Sequence, residues 1–283
     1  MTPAERAQLA LLLEVSGTPK PGNVDRDRDF PDLRFEHFLA GAVGAGPGLQ
    51  AAADGAPVGE AFERAVEGMS QQEGGNTQFG ALLLLVPLVR AAADDGRALR
   101  REGATEVVEA TTVGDAADFY RAFEHVDVFV DDPPADAEAL DVRRGSEAVP
   151  AVERQEVTLY EVMELGADED DAAAEWTGGF ERTFWAADRL AEVADAAQSL
   201  SGAGARVYLE LLAREPDTLV AKQHGPGVAE SVRVRAQEAL EGGGEVIEAF
   251  AESLVADGVN PGTTADITAA ALFVALEREE VSV

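Results

Sequence analysis

Residues 79–89 read F-G-A-L-L-L-L-V-P-L-V, a run without a single charge. A helix that is apolar on every side must be enclosed by the rest of its chain. The run is too short to cross a bilayer, which needs about 20 helical residues. It therefore predicts a central buried helix with the remaining chain built around it, and Pro87 should kink or end that helix. Helical periodicity dominates elsewhere. Val58, Ala61, Phe62, Ala65, Val66 and Met69 form one apolar stripe, and Val246, Ile247, Phe250, Leu254 and Val255 a second. Ile267, Ala271, Val274 and Ala275 form a third, widened by Leu272 and Leu276. Thr2, Pro3 and Glu5 have the order of an N-cap, N1 and N3, so a helix starts at the N-terminus and no signal peptide is expected. The expected fold is all-α: a compact multi-helix bundle around one buried helix, with at most one short strand or hairpin. The strand candidate is Val126, Val128 and Val130, alternating with Asp127 and Asp131. Gly44, Gly46 and Gly48 flank Pro47 and read as a loop. Residues 1–283 form a single catalytic domain in this reading, with an acidic, proline-containing loop or linker near 131–150. Asp168 to Asp171 reads as a solvated loop or a helix start.

A buried core is affordable because 46% of the residues are hydrophobic, which argues against a disordered chain despite a net charge of −32. Such a charge repels itself in dilute buffer and is screened at about 1 M salt, where the Debye length is roughly 3 Å. The simplest expectation is a halophilic cytoplasmic protein that binds neither nucleic acid nor membrane, since duplex binding requires phosphate neutralisation by basic groups. With no cysteine in the chain, disulfides and thiolate metal sites are excluded.

Against 54 acidic residues there are only two lysines, Lys20 and Lys222. Both lie in short segments that read as site loops: T-P-K-P-G-N-V-D (Thr18 to Asp25) and D-T-L-V-A-K-Q-H-G (Asp217 to Gly225). In the first, Pro19 and Pro21 stiffen the chain and Gly22 allows unusual backbone angles. It is either a rigid turn or a site with Lys20 against a phosphate and Asp25 near a cation or sugar. Gly74, Gly75, Asn76 and Thr77 stand directly before the buried helix. They offer either backbone N–H groups to an anion or an ordinary N-cap. N-P-G-T-T-A-D, Asn260 to Asp266, opens the last helix, where Thr263 and Asp266 have the spacing of a capping box. His224 beside Lys222 is either a structural or a chemical histidine. There is no G-x-x-x-x-G-K-[ST], no G-x-G-x-x-G after a strand, no H-E-x-x-H and no G-x-S-x-G. The three histidines, His37, His125 and His224, are too scattered to suggest a zinc site.

Taken together, E-V-S-G-T-P-K-P-G-N-V-D-R, G-G-N-T-x-x-G-A and N-P-G-T-T-A-D resemble, in order and spacing, the triphosphoribosyl-dephospho-CoA synthase family, from about Leu9 to Leu276. D-F-P-D-L-R-F-E-H-F-L (Asp29 to Leu39) and D-T-L-V-A-K (Asp217 to Lys222) resemble its archaeal, haloarchaeal-like branch. The resemblance implies an all-helical transferase that joins the ribose triphosphate of ATP to 3′-dephospho-CoA and releases adenine. The lyase-associated members carry G-G-V-N-T-H-K-G where this chain has Gly74 to Gly80, so their His and Lys are replaced. They also carry a G-A-H-x-D-M element where this chain has Asp29 to Leu39. The alternatives are a related ATP-dependent ribosyl transferase with another acceptor in cofactor synthesis, and a non-catalytic nucleotide-binding helical protein.

The implied chemistry passes through an oxocarbenium-like ribose centre. Asp25 and Asp266 are the expected catalytic carboxylates, facing the ribose or holding Mg2+ as cofactor. Lys20 is the expected phosphate ligand. The N–H groups of Gly74 to Thr77 and of Gly262 to Thr264 would cradle phosphate oxygens, with Gly22 and Asn23 in the adjoining loop. Asn76 and Asn260 would take ribose hydroxyls or the base, and Lys222 and His224 the acceptor's phosphates.

Overall fold

The computed structural model describes residues 1–93, 99–133 and 137–283. Among these it contains sixteen α-helices, two 3₁₀ turns and no strand, and no helix is long and apolar enough to cross a membrane. The first helix, Pro3–Ser16, starts as its sequence predicts: Thr2 accepts from the Glu5 N–H, and Glu5 returns the bond to the Thr2 N–H.

The apolar run forms the helix Phe79–Ala92, whose residues are buried from Ala81 through Val89. Contrary to the expectation for Pro87, the helix continues five residues beyond it. Proline removes the N–H that would bond the carbonyl four residues earlier, here that of Leu83. The indole N–H of the buried Trp176 donates to that carbonyl at 3.1 Å instead, so no buried acceptor is orphaned.

The stripe from Val58 to Met69 is buried as expected in the helix Val58–Met69. The last helix, Gly262–Glu277, is enclosed on nearly every side, lying against the first helix, the central helix and the helix Glu181–Ala194. Its alanines, Ala265, Ala269, Ala270, Ala271 and Ala275, let these neighbours approach closely. In the helix Gly244–Ala256 only part of the expected stripe is covered: Phe250 and Leu254 are buried, whereas Val246 is exposed.

Three local expectations are corrected. Residues 126–130 form no strand. No described neighbouring segment offers them a ladder, and residues 127–130 line a cavity. Gly46 and Gly48 lie in a helix, Gly46–Ala53. A Cβ on Gly48 would stand 2.3 Å from the Ala65 nitrogen, so glycine permits backbone contact between two crossing helices. Asp217 to Gly225 is not a loop: Asp217 caps a short helix, Thr218–His224. Within 131–150, residues 134–136 lie outside the described residues, and 138–140 and 142–147 form 3₁₀ turns. Asp170 caps the helix Asp171–Thr177, the helix start that the acidic run foreshadowed. One hydrophobic cluster takes residues from Ala4 to Val281, from both sides of this stretch.

Candidate active site

A cavity of about 870 Å³ opens at the N-terminal end of the central helix. Phe79, Leu83, Phe119, Phe123, Val162 and Met163 give it an apolar floor, and the Phe79 and Phe123 rings meet edge to face at 5.0 Å. Its walls carry the carboxylates of Asp127, Asp131, Asp132, Asp141, Glu169, Asp170 and Asp266, with Lys222 as the single cationic side chain among the described lining residues.

Asp266 does not cap its own helix, as its spacing from Thr263 suggested. It faces the first turn of the central helix, where the Ala81 N–H bonds its carboxylate. A Cβ on Gly80 would stand 2.1 Å from Asp266 Oδ2, so Gly80 makes the space the carboxylate occupies. Burial pushes the Asp266 carboxyl well above its ordinary value, and the charges of Glu14 and Asp217 add to the rise. The carboxyl is nonetheless partly open to the cavity.

The cap missing from the last helix comes from Asp217. Its Oδ2 accepts from Thr264 N at 2.8 Å and Thr264 Oγ1 at 2.7 Å. Its Oδ1 caps its own helix through Val220 N at 3.0 Å. One buried carboxylate thus locks the D-T-L-V-A-K segment to N-P-G-T-T-A-D. Burial raises Asp217 from 3.8 to about 6, against the pull of these hydrogen bonds.

Three of the seven N–H groups in the expected cradles are engaged within the protein. Gly262 N bonds Asn260 O at 2.8 Å, Thr264 N bonds Asp217, and Gly74 N bonds Gln72 Oε1 at 2.5 Å. Asn76 accepts from Phe79 N at 3.1 Å, which fixes it at the cavity edge. Thr77 Oγ1 and both amide atoms of Gln78 are buried without hydrogen-bond partners, away from the cavity lining.

Lys20 is not placed to touch a phosphate. It is 0% exposed, ion-paired with Glu14 and bonded to Asn23 Oδ1 at 2.8 Å. Burial pushes the Glu14 carboxyl upward, and the Lys20 ammonium only partly offsets this. Asp25 is also 0% exposed. Its Oδ2 accepts from Thr18 Oγ1, Lys20 N and Arg28 Nη1, each at 3.0 Å, and its Oδ1 accepts from Asp27 N at 2.9 Å. That set of donors organises the loop, and burial keeps the carboxylate out of the cavity lining. Gly22 has φ +74°, and a Cβ there would stand 2.5 Å from the Val259 carbonyl. The first loop therefore packs directly on the third, and Asn23 Nδ2 donates to Asn260 Oδ1 at 2.9 Å.

Asn76, Asn260, Thr263, Asp266 and Lys222 therefore reach one cavity, while Lys20, Gly22, Asn23, Asp25 and Thr264 form its supporting layer. His224 is exposed and outside the lining. Lys222 Nζ is held by Asp170 at 2.6 Å, with Asp131 at 4.0 Å. Sequence reasoning passed over Asp131, Asp170 and Asp217, because in a chain with 54 acids no single acid stands out.

Among the described residues, an all-α fold thus surrounds a cavity apolar at its floor and ionisable at its walls, the form of a small-molecule site. Over residues 1–282 the chain matches the family described as CitG: ATP:dephospho-CoA triphosphoribosyl transferase, and it belongs to that family. It is accordingly a transferase. A protein from Archaeoglobus fulgidus whose crystal structure is assigned to a triphosphoribosyl-dephospho-CoA synthase is similar at a TM-score of 0.69 and 30% identity, covering 85% of this chain and 98% of that one. No curated protein shows a significant match.

Proposed function

We propose that the cavity binds ATP and 3′-dephospho-CoA and transfers the triphosphoribosyl group between them, with Asp266 as the reacting carboxylate and the chain acting as one cytoplasmic catalytic unit. The observation that carries this reading is the convergence of Asn76, Asn260, Asp266 and Lys222, drawn from three separate segments, on one cavity. In the reaction the bond from ribose C1′ to adenine N9 breaks and a bond from C1′ to the acceptor's hydroxyl oxygen forms. Asp266 takes the hydroxyl proton, and adenine leaves carrying a proton from the medium. A carboxylate whose affinity for protons is raised is a better base, and its negative charge stabilises the developing oxocarbenium centre. Asn76 and Asn260 bind ribose hydroxyls or the base. Lys222, released in part from Asp170, meets a phosphate as a point charge.

Seven wall carboxylates would repel a bare triphosphate, so the donor enters with a divalent cation. Among the described residues no group of three metal-binding side chains is preassembled. Mg2+ is commonly held by one or two carboxylates together with substrate phosphates. Asp266, Asp170 and Asp131 are the wall groups able to contribute; Asp25, buried outside the cavity lining, is not. Mg2+ would neutralise charge on the triphosphate.

Incubation with ATP and Mg2+ in molar salt tests the reading. Adenine should appear together with a triphosphoribosyl adduct when 3′-dephospho-CoA is present, and chelation of Mg2+ should stop both. ATP binding without adenine release would instead support a non-catalytic nucleotide-binding protein. A different acceptor is the second reading, favoured by Phe79 on the cavity floor and Gln78 turned inward, where the lyase-associated pattern has Lys and His. It predicts adenine release that does not respond to 3′-dephospho-CoA. Gly80→Ala should lower turnover by roughly a hundredfold, because displacing a reacting group by about 1 Å costs that much. The check is steady-state adenine release from a variant whose circular dichroism is unchanged.

A further inference from the structure

We propose that Lys20 is a positioning residue that acts through Asn23 to fix the side-chain amide of Asn260, so that the Asn260 NH2 group points into the cavity at an acceptor oxygen of the nucleotide. The inference rests on the nucleotide reading above and concerns a residue that lies wholly behind the cavity.

The argument follows from which atoms can donate. A lysine ammonium has donors and no acceptor. The Asn23 atom that meets Lys20 Nζ at 2.8 Å must therefore be its carbonyl oxygen. That choice turns the Asn23 NH2 the other way, where it donates to Asn260 at 2.9 Å. The Asn260 atom receiving it must in turn be the oxygen. Each amide orientation is dictated by the one behind it, and the sequence begins at the only group that cannot reverse its role. Asn260 Oδ1 is then occupied, and no described residue accepts a hydrogen bond from Asn260 Nδ2, although Asn260 lines the cavity. Glu14 holds the ammonium in place from the far side, and the Tyr208 ring lies 5.9 Å from Lys20 Nζ. Tyr208 also donates to the Pro21 carbonyl at 2.7 Å, tying down the loop that carries Lys20.

The orientation matters because the walls are rich in carboxylates, which offer oxygen acceptors. A phosphate or ribose oxygen needs donors, and a reversed Asn260 would present another acceptor to it. Keeping a lysine at this buried point, in a chain that has only one other, secures a donor at the cavity wall.

Asn23→Asp is the test. The new carboxylate still accepts from Lys20, is nearly the same size, and has no N–H for Asn260 Oδ1. It draws the Asn260 NH2 back from the cavity. The KM for ATP should rise roughly tenfold or more, the loss expected for one hydrogen bond to a charged group, with kcat changed less than about twofold. Asn260→Asp should raise KM in the same direction with an intact fold, and it carries the test if Asn23→Asp does not fold. Calorimetric ATP affinity is measured beside turnover. If the wild type binds ATP but releases no adenine, the transferase reading fails, while the affinities still report on Asn260. An Asn23→Asp protein, folded and with ATP affinity within about twofold of wild type, would overturn the proposal. So would an Asn260→Asp protein with unaltered affinity.

Discussion

Asp266→Asn should abolish turnover while leaving the protein at least as stable as before. Removing a general base costs roughly 10²–10⁴ in rate, so kcat for adenine release should fall by at least about a hundredfold. Asparagine keeps an oxygen for the Ala81 N–H and fills the same space, so the geometry around Gly80 survives. The stability effect follows from the direction of the Asp266 shift, which is upward. A carboxyl that binds protons more tightly in the folded state favours folding while it is protonated. That benefit is complete below the unfolded value near 3.9 and is lost as pH rises toward the folded value. Above that folded value the wild type has lost it and the neutral amide has not. A variant that is inactive yet melts no lower than wild type marks a carboxylate retained for chemistry at a structural cost. In the wild type, kcat/KM should climb with pH through a value above the usual carboxylate range. A variant that keeps its turnover, or one that loses turnover by unfolding, would remove Asp266 from its role.

Lys20→Met should behave in the opposite way and unfold the protein readily. Breaking a buried ion pair by removing one partner costs about 3–5 kcal/mol, and both Lys20 and Glu14 are buried here. Methionine occupies much of the lysine's volume but leaves Glu14 and the Asn23 oxygen without their donor. The Glu14 carboxyl, already raised by burial, then rises further and escapes the penalty only by taking a proton. The loss of stability should thus be smaller at pH 5 than at pH 8, as urea unfolding at the two values would show. Added salt should restore little, since screening acts weakly on buried groups. A Lys20→Met protein as stable as wild type at pH 8 would contradict the buried pairing of Lys20 with Glu14.

Where the physics is local, the sequence was informative. The helix Val58–Met69 and the apolar central helix follow from periodicity and from the absence of charge, both properties of neighbouring residues. What failed depended on partners far along the chain. Nothing near Pro87 announces that Trp176 will satisfy the Leu83 carbonyl and let the helix continue. Nothing near Val126 to Val130 shows that no second strand awaits them. The capping-box spacing of Thr263 and Asp266 is real as a pattern, yet Asp217 does the capping, and that frees Asp266 to face the cavity.

The motifs marked the right neighbourhood and misassigned its layers. Lys20 and Asp25 stood out by rarity and by context, and both lie behind the cavity, fully bonded to their own loop. A lysine's chemistry is the same whether it meets a phosphate or a buried carboxylate, so only the position of Glu14 distinguishes the two uses. Asn260, ranked beside many other polar residues, is the group through which that hidden lysine reaches the cavity.

A crystal structure of the Asp266→Asn protein with ATP and Mg2+ bound would show directly where the donor sits. The triphosphate should lie in the cavity near Lys222, with ribose C1′ beside residue 266 and an oxygen of the nucleotide on Asn260 Nδ2. Nucleotide bound elsewhere, with the cavity between the Gly74 to Gly80 and Asn260 to Asp266 segments left to solvent, would contradict the assignment of this site.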